Sequence, residues 1–306
     1  MPIAKLASGV EIAYSDSGVS IDAEQYDTII ICHGVAFNKE SFTPLFPYAS
    51  KHNLRILAYN QRGYKGTTPL TPSQKEMKPD DCIAQSQLFV RDLIGFVDFV
   101  VNTLSVPNKP IVLGWSKGTT LLLGLAGPGF LPEDEQKQAL SKISSLILFE
   151  PPGSAFGLPV TKDYADAMST ISTSDPDAVS SSFGNWIAGF YEPGESAYYA
   201  NSLSILSPKF INIANEPDMV RHGFYWKLTS TPEAQWQLTK SALLNDRVKI
   251  GVCRSGHTAG YLVAAYNAAA EIGAPTKVID DKGNHFAFAH DPENWLDQII
   301  AFSKEL

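Results

Sequence analysis

One serine in this chain sits where a serine can act as a nucleophile. Ser116 is the centre of Gly114-Trp115-Ser116-Lys117-Gly118. A Gly-x-Ser-x-Gly pattern does chemistry only on a tight strand-to-helix turn that strains the serine backbone and exposes its Oγ. The flanks fit. Ile111-Val112-Leu113 leads in as a strand, and Thr119-Thr120-Leu121-Leu122-Leu123 leads out as a helix. The competing reading, an ordinary N-capping serine in a glycine-rich turn, does not require that context. A serine hydroxyl is a weak nucleophile and needs a neighbouring base. Of the six histidines, His285 in Gly283-Asn284-His285-Phe286 lies between the last apolar strand and the last helix. His257 also follows a strand and is its rival. His290 precedes Asp291-Pro292 and suits a turn, and His52 suits the surface.

A base of this kind needs an anion to fix its tautomer and stabilise the imidazolium. Glu150 ends the apolar run Leu146 to Phe149 and is followed by Pro151-Pro152. A carboxylate closing a buried strand is costly unless it is paired. Asp280 and Asp281 are nearer to His285 in sequence, but they enter the histidine's own loop and are expected to point away. A structural glutamate bonding nearby backbone is the alternative for Glu150. The loop His33-Gly34-Val35 can supply one backbone N–H, from Val35, and Lys117 the other, so that the two together form an oxyanion hole. The His33 ring itself is expected to be a satisfied turn residue.

The elements that must hold these residues alternate. Ile3 to Ala7 and Val10 to Tyr14 suggest an opening hairpin. Strands follow at Thr28 to Cys32, Leu54 to Tyr59, Pro110 to Leu113 and Leu146 to Phe149. A helix is expected over Glu40 to Lys51, limited by Pro44 and Pro47. Another spans Ile83 to Leu104, with Val90, Ile94, Val97, Val101 and Leu104 on one face. A third runs from Ser116 to Ala126. Residues 153–245 are rich in Ser, Pro and aromatics and lack strand runs, so they are expected to form an inserted helical cap. Alternation resumes with a strand Val248 to Cys253, a helix Thr258 to Ile272, a strand Thr276 to Ile279 and a helix Pro292 to Phe302. Such alternation builds an α/β fold, a mostly parallel sheet with helices on both faces, whose sites lie at the carboxyl ends of the strands. The core domain is then 1–152 with 246–306.

Composition narrows the function. Hydrophobic residues make up 44% and charged residues 18% of 306, enough for a large core. A net charge of −8 argues against nucleic acid and anionic membrane surfaces as partners. Cys32, Cys82 and Cys253 have neither disulfide nor zinc spacing. No signal peptide or membrane span is evident, so a cytoplasmic protein is expected. The sequence is compatible with a homodimer.

The order hairpin, strand, His-Gly loop, strand, Asn60-Gln61-Arg62-Gly63-Tyr64-Lys65-Gly66 loop, helix, strand and Gly-Trp-Ser-Lys-Gly elbow resembles the α/β-hydrolase superfamily. The family's loop usually begins with Asp where Asn60 stands, and ends Gly-x-Ser where Gly66-Thr67-Thr68 stands. Arg62 is expected to tie loops together. The resemblance implies the chain order nucleophile, acid, base, and so favours His285 as base. It departs at the acid: the loop Arg254 to Gly260, where most members carry it, has no carboxylate. An acid at the earlier, sixth strand is similar to haloalkane dehalogenases, whose aspartate nucleophile is replaced here by Ser116. It resembles more closely the fungal zearalenone lactonases, with Glu150-Pro151-Pro152 and Gly283-Asn284-His285-Phe286 as counterparts.

That resemblance implies a serine hydrolase of carboxylic esters or lactones, with a Ser116–His285–Glu150 triad, an acyl-enzyme, no metal and no cofactor, and the aromatic, largely uncharged stretch 153–245 suggests an apolar substrate. The cap sequence matches that of the lactonases poorly, and His222-Gly223-Phe224-Tyr225-Trp226 is expected to be a pocket segment by its rough position against theirs. Trp186, Tyr225 and Trp226 are expected to line the pocket for a small-molecule substrate. The alternative is a non-hydrolytic enzyme or a binding protein of natural-product metabolism on the same fold.

Overall fold

The computed structural model describes residues 1–19, 25–75, 81–159, 227–258 and 260–306. Eight strands form one sheet in the order β1-β2-β4-β3-β5-β6-β7-β8. β1 (Ile3–Lys5) and β2 (Glu11–Asp16) are the opening hairpin. β3 (Asp27–Cys32), β4 (Leu54–Tyr59), β5 (Ile111–Trp115), β6 (Ser145–Phe149), β7 (Lys249–Ser255) and β8 (Thr276–Asp280) follow. The pairings β1–β2 and β2–β4 are antiparallel, and the rest are parallel.

The central strands show why their sequences are continuously apolar. In β3, Ile30 and Cys32 enter one core and Ile29 and Ile31 the other. In β6, Leu146 and Leu148 face the first core, while Ile147 and Phe149 face the second. A strand buried on both faces has no polar alternation to keep. The first core is closed by α1 (Cys82–Asn102), α2 (Thr119–Ala126) and α3 (Glu133–Leu140). The second is closed by Phe42, Leu45 and the final helix of the chain, over Pro292–Glu305.

Three local expectations change. The segment expected as a helix from Glu40 to Lys51 is a 3-10 turn Lys39–Leu45, one α-turn Phe46–Ala49 and a 3-10 turn Ser50–His52. Pro44 and Pro47 lack the N–H that a continuous helix would use. The inward face of α1 includes the expected Val90 and Val97 but also Phe89, Leu93, Phe96 and Val100, while Ile94, Val101 and Leu104 are only partly buried. An apolar helix fits more than one three- and four-residue stripe, and the larger side chains decide which is buried. The helix α3 had no apolar periodicity to reveal it. It buries only Gln136, Ala139 and Leu140, and carries Glu133, Asp134 and Glu135 in its first turn, where the helix dipole favours acids.

The two ends of the stretch 153–245 lie among the described residues. After β6, Gly153–Phe156 makes a 3-10 turn. On return, α4 (Pro232–Leu243) starts at Thr231, whose side chain accepts from the Ala234 N–H at 3.2 Å. Ala242 and Leu243 sit in the first core. Gln235 Nε2 and Thr239 Oγ1 both donate to the Ala155 carbonyl, at 2.9 and 3.0 Å. The departing and returning chains are thereby fastened together. Between β7 and β8 lies α5 (Gly260–Glu271), and Pro292–Glu305 is α6. No helix of the described residues is long and apolar enough to cross a membrane.

Candidate active site

Ser116 follows β5 directly and has φ +54°, in the left-handed region. A non-glycine residue there is strained, and the surrounding packing must hold it. That packing leaves no room beside the serine. A Cβ on Gly118 would lie 2.5 Å from the Cys32 carbonyl oxygen, and one on Gly114 would lie 2.8 Å from Thr119 Cα. A Cβ on Gly34 would come within 3.0 Å of Ser116 Cβ, so the loop after β3 runs directly against the serine.

That loop is rigidly held. His33 Nδ1 donates to the Gly34 carbonyl at 2.8 Å, and Nε2 accepts from the Gln61 N–H at 3.2 Å. Burial pushes its pKa down to about 4, so the ring is neutral and acts as a brace. Ala36, at φ +67°, donates its N–H to Tyr64 Oη at 3.1 Å. Arg62 makes a two-pronged ion pair with Asp92 of α1, at 2.8 and 2.7 Å, which ties the Asn60–Gly66 loop to the helix layer. Val35 is 9% exposed, and neither its backbone N–H nor that of Lys117 has a partner among the described residues. For Lys117 this follows from its place in the first turn of a helix, where N–H groups have no carbonyl to meet.

Glu150 sits one residue beyond β6, with φ +55° and no exposed surface. Its carboxylate is fully engaged. Oε1 accepts from the Ser255 N–H at 2.6 Å; Oε2 accepts from Thr258 Oγ1 and lies 3.3 Å from His285 Nδ1. Burial lowers the pKa of His285, and the hydrogen bond and charge of Glu150 oppose that shift. Trp115, the residue before the serine, donates its indole N–H to the His285 carbonyl at 3.0 Å. The ring centroids of Trp115 and His285 are 5.0 Å apart. The strand carrying Ser116 thus holds the histidine loop in place.

The other candidates are occupied elsewhere. Asp280 Oδ1 accepts from the N–H groups of Lys282 and Gly283, shaping the loop before His285. His257 is exposed, and its backbone N–H donates to the Gly283 carbonyl at 2.9 Å. His52 Nε2 lies 3.3 Å from Asp297 Oδ1. Among the described residues no three His, Cys, Asp or Glu side chains gather to hold a metal ion. Trp186, Tyr225 and Trp226 lie outside the described residues. Sequence reasoning did not find Ser255 and Thr258 as partners of Glu150. The signal was present in part: a loop without a carboxylate but with donors follows the strand next to β6.

A cavity of about 230 Å³ opens beside the elbow, and its wall includes Lys117, Thr120, Ser154, Lys227 and Thr231. Lys117 is only 8% exposed. Burial, reinforced by repulsion from Lys227 and weakly opposed by Cys82, brings its amine down to about 8.

The chain belongs to the alpha/beta hydrolase family, whose sequence model matches residues 29–298. No curated protein sequence matches it. Among solved structures it is similar to the enol-lactonase from Burkholderia xenovorans LB400, with a TM-score of 0.62 and 14% identity over 99% of this chain and 100% of that one. It is similar also to an esterase from Exiguobacterium antarcticum, with a TM-score of 0.61 and 15% identity over 99% and 98%. An epoxide hydrolase from Vigna radiata gives a TM-score of 0.63 and 14% identity over 100% and 97%. At these identities the likeness is one of fold.

Proposed function

We propose that the protein hydrolyses carboxylic esters or lactones, with Ser116 as nucleophile, His285 as base and Glu150 as the acid that orients it. The observation that carries this reading is the contact of a fully buried carboxylate with the Nδ1 of a buried histidine, in a loop braced by the residue before a strained serine. With its Nδ1–H turned to Glu150, His285 has Nε2 free of a proton, the tautomer a base needs.

In the proposed mechanism Ser116 Oγ attacks the carbonyl carbon as His285 Nε2 takes its proton. The Val35 and Lys117 N–H groups stabilise the oxyanion. The C–O bond to the alcohol breaks, and His285 gives its proton to the departing alkoxide, which stays tethered if the substrate is a lactone. Water then attacks the acyl-enzyme, with its proton going to His285 and returning to Ser116 as the acid leaves. Residues 153–245 would form the cap over this site. The acid after the sixth strand resembles the zearalenone lactonase arrangement and supports including lactones.

The test is turnover of a 4-nitrophenyl ester, with labelling by a fluorophosphonate. Ser116→Ala should abolish both, lowering kcat by at least about 10⁴-fold. Retained turnover in Ser116→Ala would refute the nucleophile. Tight ligand binding by a wild type that neither turns over ester nor takes the label would favour a binding protein on this fold.

A further inference from the structure

The cavity beside the elbow is built for an anion. Lys117 and Lys227 both face it, and none of its described lining residues is acidic. The Lys117 amine has no hydrogen-bond acceptor or carboxylate partner among the described residues, although its residue is 8% exposed. A buried lysine normally finds a carboxylate or a cluster of carbonyls, because an unpaired buried charge is strongly unfavourable. Here the charged residue that shares the cavity wall with it is another cation, Lys227, whose repulsion it feels. Thr120 stands three residues further along and lines the same space. Its hydroxyl oxygen is fully buried, with no hydrogen-bond partner among the described residues, on a residue 1% exposed. Two lysines and no acid among the described residues therefore line one space in a protein whose net charge is −8.

Position gives this space its meaning. Lys117 is the residue after Ser116, so the wall of this cavity begins one residue from the nucleophile. Consecutive Cα atoms are about 3.8 Å apart. A volume of about 230 Å³ suits a short arm of a substrate. It is smaller than the roughly 300–1,000 Å³ that holds a whole drug-sized ligand.

We propose that this cavity is a carboxylate subsite, and that the substrate is an ester or lactone bearing a carboxylate a few carbons from the carbonyl that Ser116 attacks. Lys117 and Lys227 supply the charge. The inference rests on the proposed hydrolysis for the identity of the substrate, but the subsite itself can be tested without turnover. It replaces the wholly apolar substrate expected from the aromatic stretch with one that has an apolar part and a charged end.

Two measurements test it. The first is calorimetric titration with glutarate, against neutral glutaramide. Wild type should bind glutarate at least about tenfold more tightly than glutaramide. Lys117→Met and Lys227→Met should each remove most of that preference. The second is the ratio of kcat/KM for mono-4-nitrophenyl glutarate to that for 4-nitrophenyl valerate. The ratio should exceed about ten in wild type and fall towards one in the lysine variants. Because each variant serves as its own reference, a general loss of activity cancels. Equal binding of glutarate and glutaramide, or a glutarate affinity unchanged in both lysine variants, would overturn the subsite whatever the turnover. Retained ester hydrolysis in Ser116→Ala would overturn the catalytic reading while leaving the glutarate result to stand or fall alone.

Discussion

Replacing Lys117 by Met should make the protein more stable. The side chain is 8% exposed, and its amine is brought from the ordinary 10.5 to about 8, by burial first and by Lys227 second. In the unfolded chain the same amine titrates near its ordinary value. Below pH 8 both states carry the proton, and the folded state bears the full penalty of a buried, unpaired charge. Between 8 and 10.5 the unfolded state binds more protons, so wild-type stability rises with pH across that window. Above 10.5 both forms are neutral and the penalty is gone. At about 1.4 kcal/mol for each tenfold change in proton binding, the depression corresponds to about 3 kcal/mol near neutrality. Methionine keeps the apolar stem and drops the charge. Urea unfolding at pH 7 should therefore show Lys117→Met more stable than wild type by about 2–3 kcal/mol. At pH 10 the difference should shrink to about 1 kcal/mol, because the folded-state amine has by then lost its proton while the unfolded one still largely keeps it. A variant no more stable than wild type at pH 7, or an equal difference at both pH values, would refute the reasoning. A residue that destabilises its own fold by this amount is expected to be kept for binding.

Two further predictions concern the catalytic groups. Glu150→Gln should lower kcat by about 10³–10⁴-fold in steady-state ester kinetics, because an amide nitrogen facing His285 Nδ1 or the Ser255 N–H sets donor against donor and disfavours the base tautomer; a loss of less than tenfold would move the acid elsewhere. The pH dependence of kcat/KM should rise to a plateau with its midpoint below 6.5, since burial lowers the His285 pKa and the base works only when neutral. A midpoint above 6.5 would contradict that environment.

Much of the candidate site was legible because it rests on local pattern. The strand Leu54–Tyr59 was delimited to the residue by its apolar run. The elbow was visible because glycines and strand–helix context are both short-range. Glu150 stood out because a carboxylate has few reasons to end a wholly apolar strand. The partners of that carboxylate were hidden, since Thr258 lies 108 residues away and β7 continues two residues past its apolar core, through Arg254 and Ser255. Polar residues at the end of a strand do not extend a hydrophobic pattern, yet the Ser255 backbone is what Glu150 holds. The convergence of Lys117 and Lys227 was equally invisible, because only the closing of the chain on either side of residues 160–226 brings them to one cavity.

That closing has an evolutionary consequence. The two donors from α4 to the Ala155 carbonyl form a staple that joins the two ends of the stretch 160–226 at a neck. Loop-closure entropy grows only slowly with loop length. With the neck already fastened, the sequence between can lengthen, shorten or be exchanged at little expense to the sheet. Ser116, Glu150 and His285 all lie on the sheet side of the staple. Lineages on this scaffold can therefore change what they accept in one modular exchange while inheriting the same chemistry, and a chimera joined at residues 159 and 227 would follow the same route.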